Sequence, residues 1–260
     1  MSTGPFQVAP GTTVLITGAS SGIGAALAPL FGARRCRVGI LARRSDRLAD
    51  VRQAVLAAGA VECMPIVCDL ADRDAGVAAI EACLGQFGHL DVLVNNAAIP
   101  KRVPVNELTT RDIDQTMMVN FGSPTAMTLA LLPSMLRRNS GVVVNVSSMG
   151  GRLGIRHEAA YSASKFALCG WSESLQADLF NTGISVKLII PGPIDTEIWD
   201  QPGNHPAEYD GPFESPSMVA NGIIDAIESE QFEHYLPDLK GIVEYKTSNI
   251  DAFFQGVANQ

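Results

Sequence analysis

The chain has 260 residues, 47% of them hydrophobic and 18% charged, so it can bury a large core and falls within the size of one α/β domain. Its formal charge of −8 excludes a general nucleic-acid binder, because phosphate recognition needs clustered Lys and Arg. One domain spanning 1–260 is expected.

The opening stretch MSTGPFQVAPGT has no basic region leading into an apolar one, and no later run reaches membrane-span length without Gly, Pro or charge. A cytosolic protein with no membrane partner is therefore expected. The first β-branched run, TVLIT (13–17), passes directly into Thr17-Gly18-Ala19-Ser20-Ser21-Gly22-Ile23-Gly24, which opens the helical stretch ALAPLFGARR. Glycines placed there allow a tight turn and let the backbone approach a pyrophosphate, with helix N-terminal N–H groups aimed at the anion. The spacing G-x-x-x-G-x-G differs from G-x-G-x-x-G, and glycine clusters alone are weak evidence; the position between strand and helix gives this one its weight.

The second run, RVGILA (37–42), ends in Ala42-Arg43-Arg44, where an acidic side chain would grip the ribose 2′-hydroxyl of NAD. Ala42 occupies the usual Asp position, and the two guanidinium groups suit the additional 2′-phosphate of NADP. Arg43 and Arg44 also read as ordinary solvated loop charges. The helical stretch DRLADVRQAVLAAG follows, then ECMPIVCD (62–69), AGVAAIEACLGQFG, LDVLVNN (90–96) and the long FGSPTAMTLALLPSMLRR. Strands alternating with helices imply a parallel sheet, and their near-continuous hydrophobicity implies cover on both faces. The expected fold is a Rossmann-type doubly wound sheet in a three-layer α/β/α sandwich.

The fifth run, GVVVNVSS (141–148), places Ser148 at a strand end, a natural position from which to face a ligand crevice. In the helical stretch AAYSASKFALCGW, Tyr161 and Lys165 stand four apart and leave the same face. An unperturbed phenol titrates near 10, and a neighbouring ammonium favours the phenolate, which suits Tyr161 to proton transfer near neutral pH. Such a pair recurs by chance in structural helices, and strand-end serines often only satisfy backbone groups; the combination carries the signal. After ISVKLIIPG (184–192), a Gly/Pro-rich break at 196–216 reads as a substrate lid before the helix SMVANGIIDAIESE.

Together these residues resemble the single-domain, NADP-preferring branch of the short-chain dehydrogenase/reductase family, in order through nearly the whole chain. Gly18, Gly22 and Gly24 match its glycine turn, which also contains Ser20, Ser21 and Ile23. Asp69 and Leu70 match the segment placed against the adenine, and Asn95-Asn96-Ala97 match the segment that steadies the central sheet. Asn120, Ser148, Tyr161 and Lys165 match the catalytic tetrad. The resemblance implies that Tyr161 protonates the substrate oxygen, Ser148 orients it, and Asn120 anchors a water. Lys165 would lower the tyrosine pKa and hold the nicotinamide ribose. Pro191, Gly192, Ile194 and Thr196 match the stretch that borders the carboxamide and pyrophosphate. His157, Met149, Ile155 and Trp199 would line the substrate pocket; each also reads as ordinary packing.

Two positions depart from the family pattern: Ala98 replaces the glycine ending Asn-Asn-Ala-Gly, and Ser21 stands where many NADP enzymes carry a basic residue. NADP selectivity then rests on Arg43 and Arg44. The four histidines lack metal-site spacing, and the cysteines Cys36, Cys63, Cys68, Cys83 and Cys169 show no C-x-x-C pair, so neither zinc nor a disulfide framework is expected. The expectation is an NADPH-dependent oxidoreductase acting on a ketone, aldehyde or secondary alcohol, with NAD(H) as a possible cofactor. The resemblance adds a homodimer or homotetramer. An NAD-dependent alcohol dehydrogenase and a non-catalytic dinucleotide-binding regulator are the rivals.

Overall fold

Uninterrupted runs of Val, Ile and Leu demand cover on both faces, and in the computed structural model, which describes residues 4–258, they receive it. Seven strands form one parallel sheet in the order β3-β2-β1-β4-β5-β6-β7. They are β1 (Thr13–Thr17), β2 (Arg37–Ala42), β3 (Glu62–Val67), β4 (Val92–Asn95), β5 (Gly141–Val146), β6 (Ile184–Pro191) and β7 (Glu233–Leu236). Alternate residues feed two cores. Val14, Ile16, Val92 and Val94 meet Leu27 and Phe31 of α1 (Gly22–Ala33), Leu48 and Val55 of α2 (Ser45–Ala57), and Ile223 of α7 (Pro216–Ile227). Leu15, Leu93 and Val143 meet Ile80 of α3 (Arg73–Phe87), Leu131 of α5 (Ser123–Arg138) and Leu175 of α6 (Ala159–Leu179). This is the expected three-layer, Rossmann-type sandwich.

The chain reverses its direction of travel across the sheet between β1 and β4, the place where doubly wound sheets open a crevice at their strand ends. Thr17 fixes that point. Its Oγ1 donates to Val94 O at 3.2 Å and accepts from the N–H groups of Asn96 and Ala97 at 2.9 and 3.0 Å.

Several elements were not legible in the hydrophobic pattern. The sheet's last strand, β7, is only Glu-His-Tyr-Leu. A short polar helix, α4 (Thr110–Met117), begins at a capping box formed by Thr109 and Asp112. It runs into a π-helical turn at Met118–Gly122 before α5. The C-terminal helices α8 (Lys240–Ser248) and α9 (Ile250–Ala258) close the described chain. The break assigned to 196–216 ends at 215, because Pro216 takes the first helical position of α7 behind the N-cap Ser215.

The five cysteines are buried and free, and no group of potential metal ligands occurs among the described residues. No described helix is long and apolar enough to cross a membrane.

Candidate active site

At the carboxyl ends of β1, β2, β3 and β4 lies a crevice of about 320 Å³. It gathers Gly18, Ser20, Ser21, Gly22 and Ile23 from the glycine turn, Arg43 and Arg44 from the end of β2, and Asp69 and Leu70 from the end of β3. Asn96 and Ala97 join from β4, and Thr196 from the segment beyond β6. Gly18 has φ +67° and Gly22 φ +54°, and a Cβ on Gly18 would stand 2.8 Å from the Ala97 Cα. Glycine is therefore required at that turn. Gly24 does not line the crevice: it lets α1 pack on the glycine turn, since a Cβ there would stand 2.5 Å from Gly18 O.

The chemistry of this cradle fits a dinucleotide. Ser21, the N-cap residue of α1, makes no side-chain cap, so the helix presents uncapped N–H groups beside the crevice. The Arg44 guanidinium lies next to them, with Nη2 donating to Ser20 Oγ at 3.0 Å and to Ser21 Oγ at 2.8 Å. Arg43 is exposed at the crevice edge.

The other expected groups stand outside the crevice lining. Pro191, Gly192 and Ile194 are not part of it; Ile194 is buried, and its carbonyl accepts from the Trp199 indole N–H at 2.7 Å. Ser148, Tyr161 and Lys165 form a separate cluster at the end of β5 and the start of α6. Ser148 lies close enough to the Tyr161 hydroxyl to favour its ionised form, and Lys165 Nζ lies 5.8 Å from the Tyr161 ring centroid. Lys165 Nζ donates to Val146 O at 2.9 Å. Gly150 supports the phenol closely, for a Cβ there would stand 3.2 Å from Tyr161 Cε1.

The electrostatics differ from the sequence expectation. Burial pushes the Tyr161 phenol above its ordinary value, and the neighbouring Ser148 hydroxyl opposes this only in part. Burial also lowers Lys165 to about 8. With desolvation dominant at both sites, each group is driven toward its neutral form. In this state the phenol is held as a proton donor.

Asn120 sits on the π-helical turn, a distortion common at functional sites. Its Nδ2 donates to Ile99 O and Ser164 Oγ, both at 3.0 Å, and its Oδ1 accepts from Ile99 N at 2.8 Å. Both amide donors are therefore spent on protein groups, and the side chain serves as a strut. Ser164 in turn donates to Tyr161 O at 2.7 Å, so Asn120 ties the crevice wall at Ile99 to the tyrosine's helix.

A second strut passes through the sheet. Asn95 Nδ2 donates to Asn145 Oδ1 at 2.9 Å, and Asn145 Nδ2 donates to Ser172 Oγ on α6 at 2.9 Å.

None of the expected pocket residues Met149, Ile155, His157 and Trp199 lines the crevice. Met149 is buried, Ile155 is exposed, and His157 adopts φ +62° with Nδ1 3.4 Å from a Glu208 carboxylate oxygen. Trp199 packs edge-on against Phe213, with the Arg102 guanidinium 5.1 Å above its ring.

Sequence reasoning missed Arg102 and Glu158. Arg102 is buried; its Nε donates to Glu158 Oε1 at 2.9 Å, and its Nη1 donates to the carbonyls of His205 and Trp199. Arg102 N also donates to Asn204 Oδ1 at 2.6 Å. The pair thus fastens the 196–215 segment to the residue that precedes α6. Neither residue belongs to a periodic pattern or spaced motif, so nothing local advertises them.

Comparison with known proteins places this geometry among relatives. A family model described as short chain dehydrogenase matches residues 12–206. A Drosophila melanogaster protein, dehydrogenase/reductase SDR family protein 7-like, is 39% identical over 193 residues, covering 73% of this chain and 59% of that one. The D-threitol dehydrogenase of Mycolicibacterium smegmatis is 35% identical over 196 residues, with 74% and 75% covered. A metagenomic short-chain oxidoreductase, solved in complex with NADP, superposes with a TM-score of 0.74 at 30% identity, covering 87% of this chain and 97% of that one. The chain spans 58–61% of the length of the first curated relatives it matches.

Proposed function

The chain belongs to the short-chain dehydrogenase family, and from that premise we propose that it is an oxidoreductase that prefers NADPH to NADH. It moves a hydride between the nicotinamide and a ketone, aldehyde or secondary alcohol. The observation that carries this reading is the grouping of Ser148, Tyr161 and Lys165, with Lys165 Nζ 5.8 Å from the tyrosine ring, together with a crevice of dinucleotide chemistry.

In carbonyl reduction the Ser148 hydroxyl holds the substrate oxygen, and the Tyr161 phenol gives it a proton. The bound reduced nicotinamide supplies the hydride. A phenol held protonated by burial suits the donor role, and Lys165 in its ammonium form offsets the phenolate left behind. Asn120 keeps the tyrosine's helix in register with the crevice. Gly18, Gly22 and the N-terminus of α1 receive the pyrophosphate, and Asp69 and Leu70 border the adenine. Arg43 and Arg44, with no carboxylate at the end of β2, favour the 2′-phosphate. The NADP-bound relative supports that choice. The 196–215 segment, which carries Trp199 and meets His157 through Glu208, closes over the substrate.

The exposed Leu129 and Leu136 of α5 and Phe166 of α6 support assembly as a homo-oligomer. The deciding experiment follows NADPH absorbance across carbonyl and alcohol substrates with the native chain and Tyr161→Phe. The variant is expected to bind NADPH and to turn over about 10²- to 10⁴-fold more slowly. Near-native turnover would remove Tyr161 from its role, and equal use of NADH would replace the cofactor assignment.

A further inference from the structure

The arginine at the end of β2 already holds an anion, and that anion belongs to the protein. Glu197, next to the crevice residue Thr196, places Oε2 2.8 Å from Arg44 Nη1, and its Oε1 contacts Arg47 Nη1 on the first turn of α2. Glu197 also lines the crevice. A single carboxylate therefore joins two guanidinium groups on the wall where β2 ends.

We propose that Glu197 is an internal competitor for the cofactor's 2′-phosphate, so that binding the phosphate releases the 196–201 stretch. The inference rests on the NADPH reading above and adds a specificity-determining residue to it. A phosphomonoester carries about −1.5 to −2 charge near pH 7 and has three acceptor oxygens, whereas a carboxylate carries one charge and two oxygens. At a shared guanidinium pair the phosphate therefore displaces the carboxylate. A ribose hydroxyl has no such charge and leaves Glu197 in place. Exchange is feasible here because the pair is half in water: the Arg44 and Glu197 side chains are 40% and 43% exposed. Breaking such a pair costs little.

The released stretch leads to the substrate side. Two residues beyond Glu197, Trp199 packs against Arg102 and Phe213, and Gln201 Nε2 donates to Glu197 O at 2.8 Å. Freeing the carboxylate loosens the nucleotide end of the segment while Arg102 keeps the other end fastened. NADPH and NADH would then leave the substrate wall with different tethers.

The test uses nucleotides without nicotinamide, so that the phosphate acts alone. Affinities of the native chain and Glu197→Gln for adenosine 2′,5′-bisphosphate and for 5′-AMP are measured by calorimetry. The variant is expected to bind the bisphosphate about fivefold more tightly, the scale of one or two exposed ion pairs removed from competition. It should bind 5′-AMP as the native chain does. In the native chain, backbone hydrogen exchange over 196–201 should rise with the bisphosphate relative to 5′-AMP.

Unchanged or weaker bisphosphate binding by the variant, equal tightening for both nucleotides, or no difference in exchange overturns the proposal. If the native chain prefers the bisphosphate and the substitution leaves that preference alone, only the Glu197 inference falls. If the native chain binds the two nucleotides alike, the NADPH reading falls first.

Discussion

The two ends of the site are built from opposite materials. At the nucleotide end the working charges are half in water: Arg44 and Glu197 lie on loop edges and meet through an exposed ion pair. At the catalytic end they are sealed: Lys165 is 2% exposed, Arg102 4% and Glu158 7%. Exposed charges trade partners at small cost, so that end can discriminate among ligands by exchange. Buried charges cannot be unpaired without a large penalty, so the other end keeps one arrangement at the expense of stability. Substitutions should therefore act chiefly on binding at one end and on both folding and rate at the other.

Lys165 sharpens the contrast most. Its folded-state value of about 8 lies below the ordinary 10.5, so the unfolded chain holds a proton that the folded chain sheds between those values. Stability accordingly rises with pH across that window, and below about 8 the buried ammonium is carried at a cost of about 3 kcal/mol. Lys165→Met, close in volume, removes that cost but leaves Val146 O without its donor, a loss of about 1 kcal/mol. The variant is expected to lose about 10²- to 10⁴-fold in turnover while gaining about 2 kcal/mol against urea at pH 7. The gain should shrink as pH rises from 7 to 9.5. A destabilised variant at pH 7, or a gain independent of pH, would break the comparison. In the native chain, kcat/KM for reduction should fall as pH rises through about 8, where the ammonium is lost.

How much of this could be read from the chain follows the same division. Thr17 to Gly24 announces itself because strand, glycine turn and helix are contiguous, so local geometry alone dictates the cradle. Strands β1 and β2 match the β-branched runs end to end, since burial on both faces leaves a continuous apolar signal. Strand β7 carries no such signal: its four residues are only half-buried at the sheet edge. The tetrad residues were legible as a resemblance, but their electrostatic state was not. Spacing places an amine near a phenol; it does not reveal that burial outweighs their mutual influence. Glu197 and Arg102 were invisible for a further reason. Each meets partners far along the chain, Arg44 and Arg47 for one and Glu158 with the 199–205 carbonyls for the other, and a sequence read locally contains no trace of such pairings.

Arg102 is the next largest expected effect. Arg102→Met leaves the Glu158 carboxylate buried without its guanidinium, in surroundings that already raise its pKa by desolvation. A loss of about 3 kcal/mol is expected in urea unfolding, with partial recovery in the double variant that also carries Glu158→Gln. Recovery is the discriminating result, because it separates an orphaned charge from lost packing against Trp199. Equal stability in the single and double variants would assign the effect to the ring contact.

Arg44 completes the series with the smallest change in folding. Its guanidinium meets Ser20, Ser21 and Glu197, all within reach of water, so Arg44→Gln should shift unfolding by no more than about 0.5 kcal/mol. The same substitution removes one charge-assisted contact to a 2′-phosphate, worth about 1.5 kcal/mol, so the NADPH Kd should rise about tenfold. NADH offers a hydroxyl at that position, and its Kd should stay within about twofold. A large loss of stability without a change in nucleotide preference would make Arg44 a structural tether of the glycine turn and erase the distinction between the two ends. Loss of the NADPH preference in a chain that melts like the native one would show that an exposed charge can govern selection while contributing almost nothing to the fold.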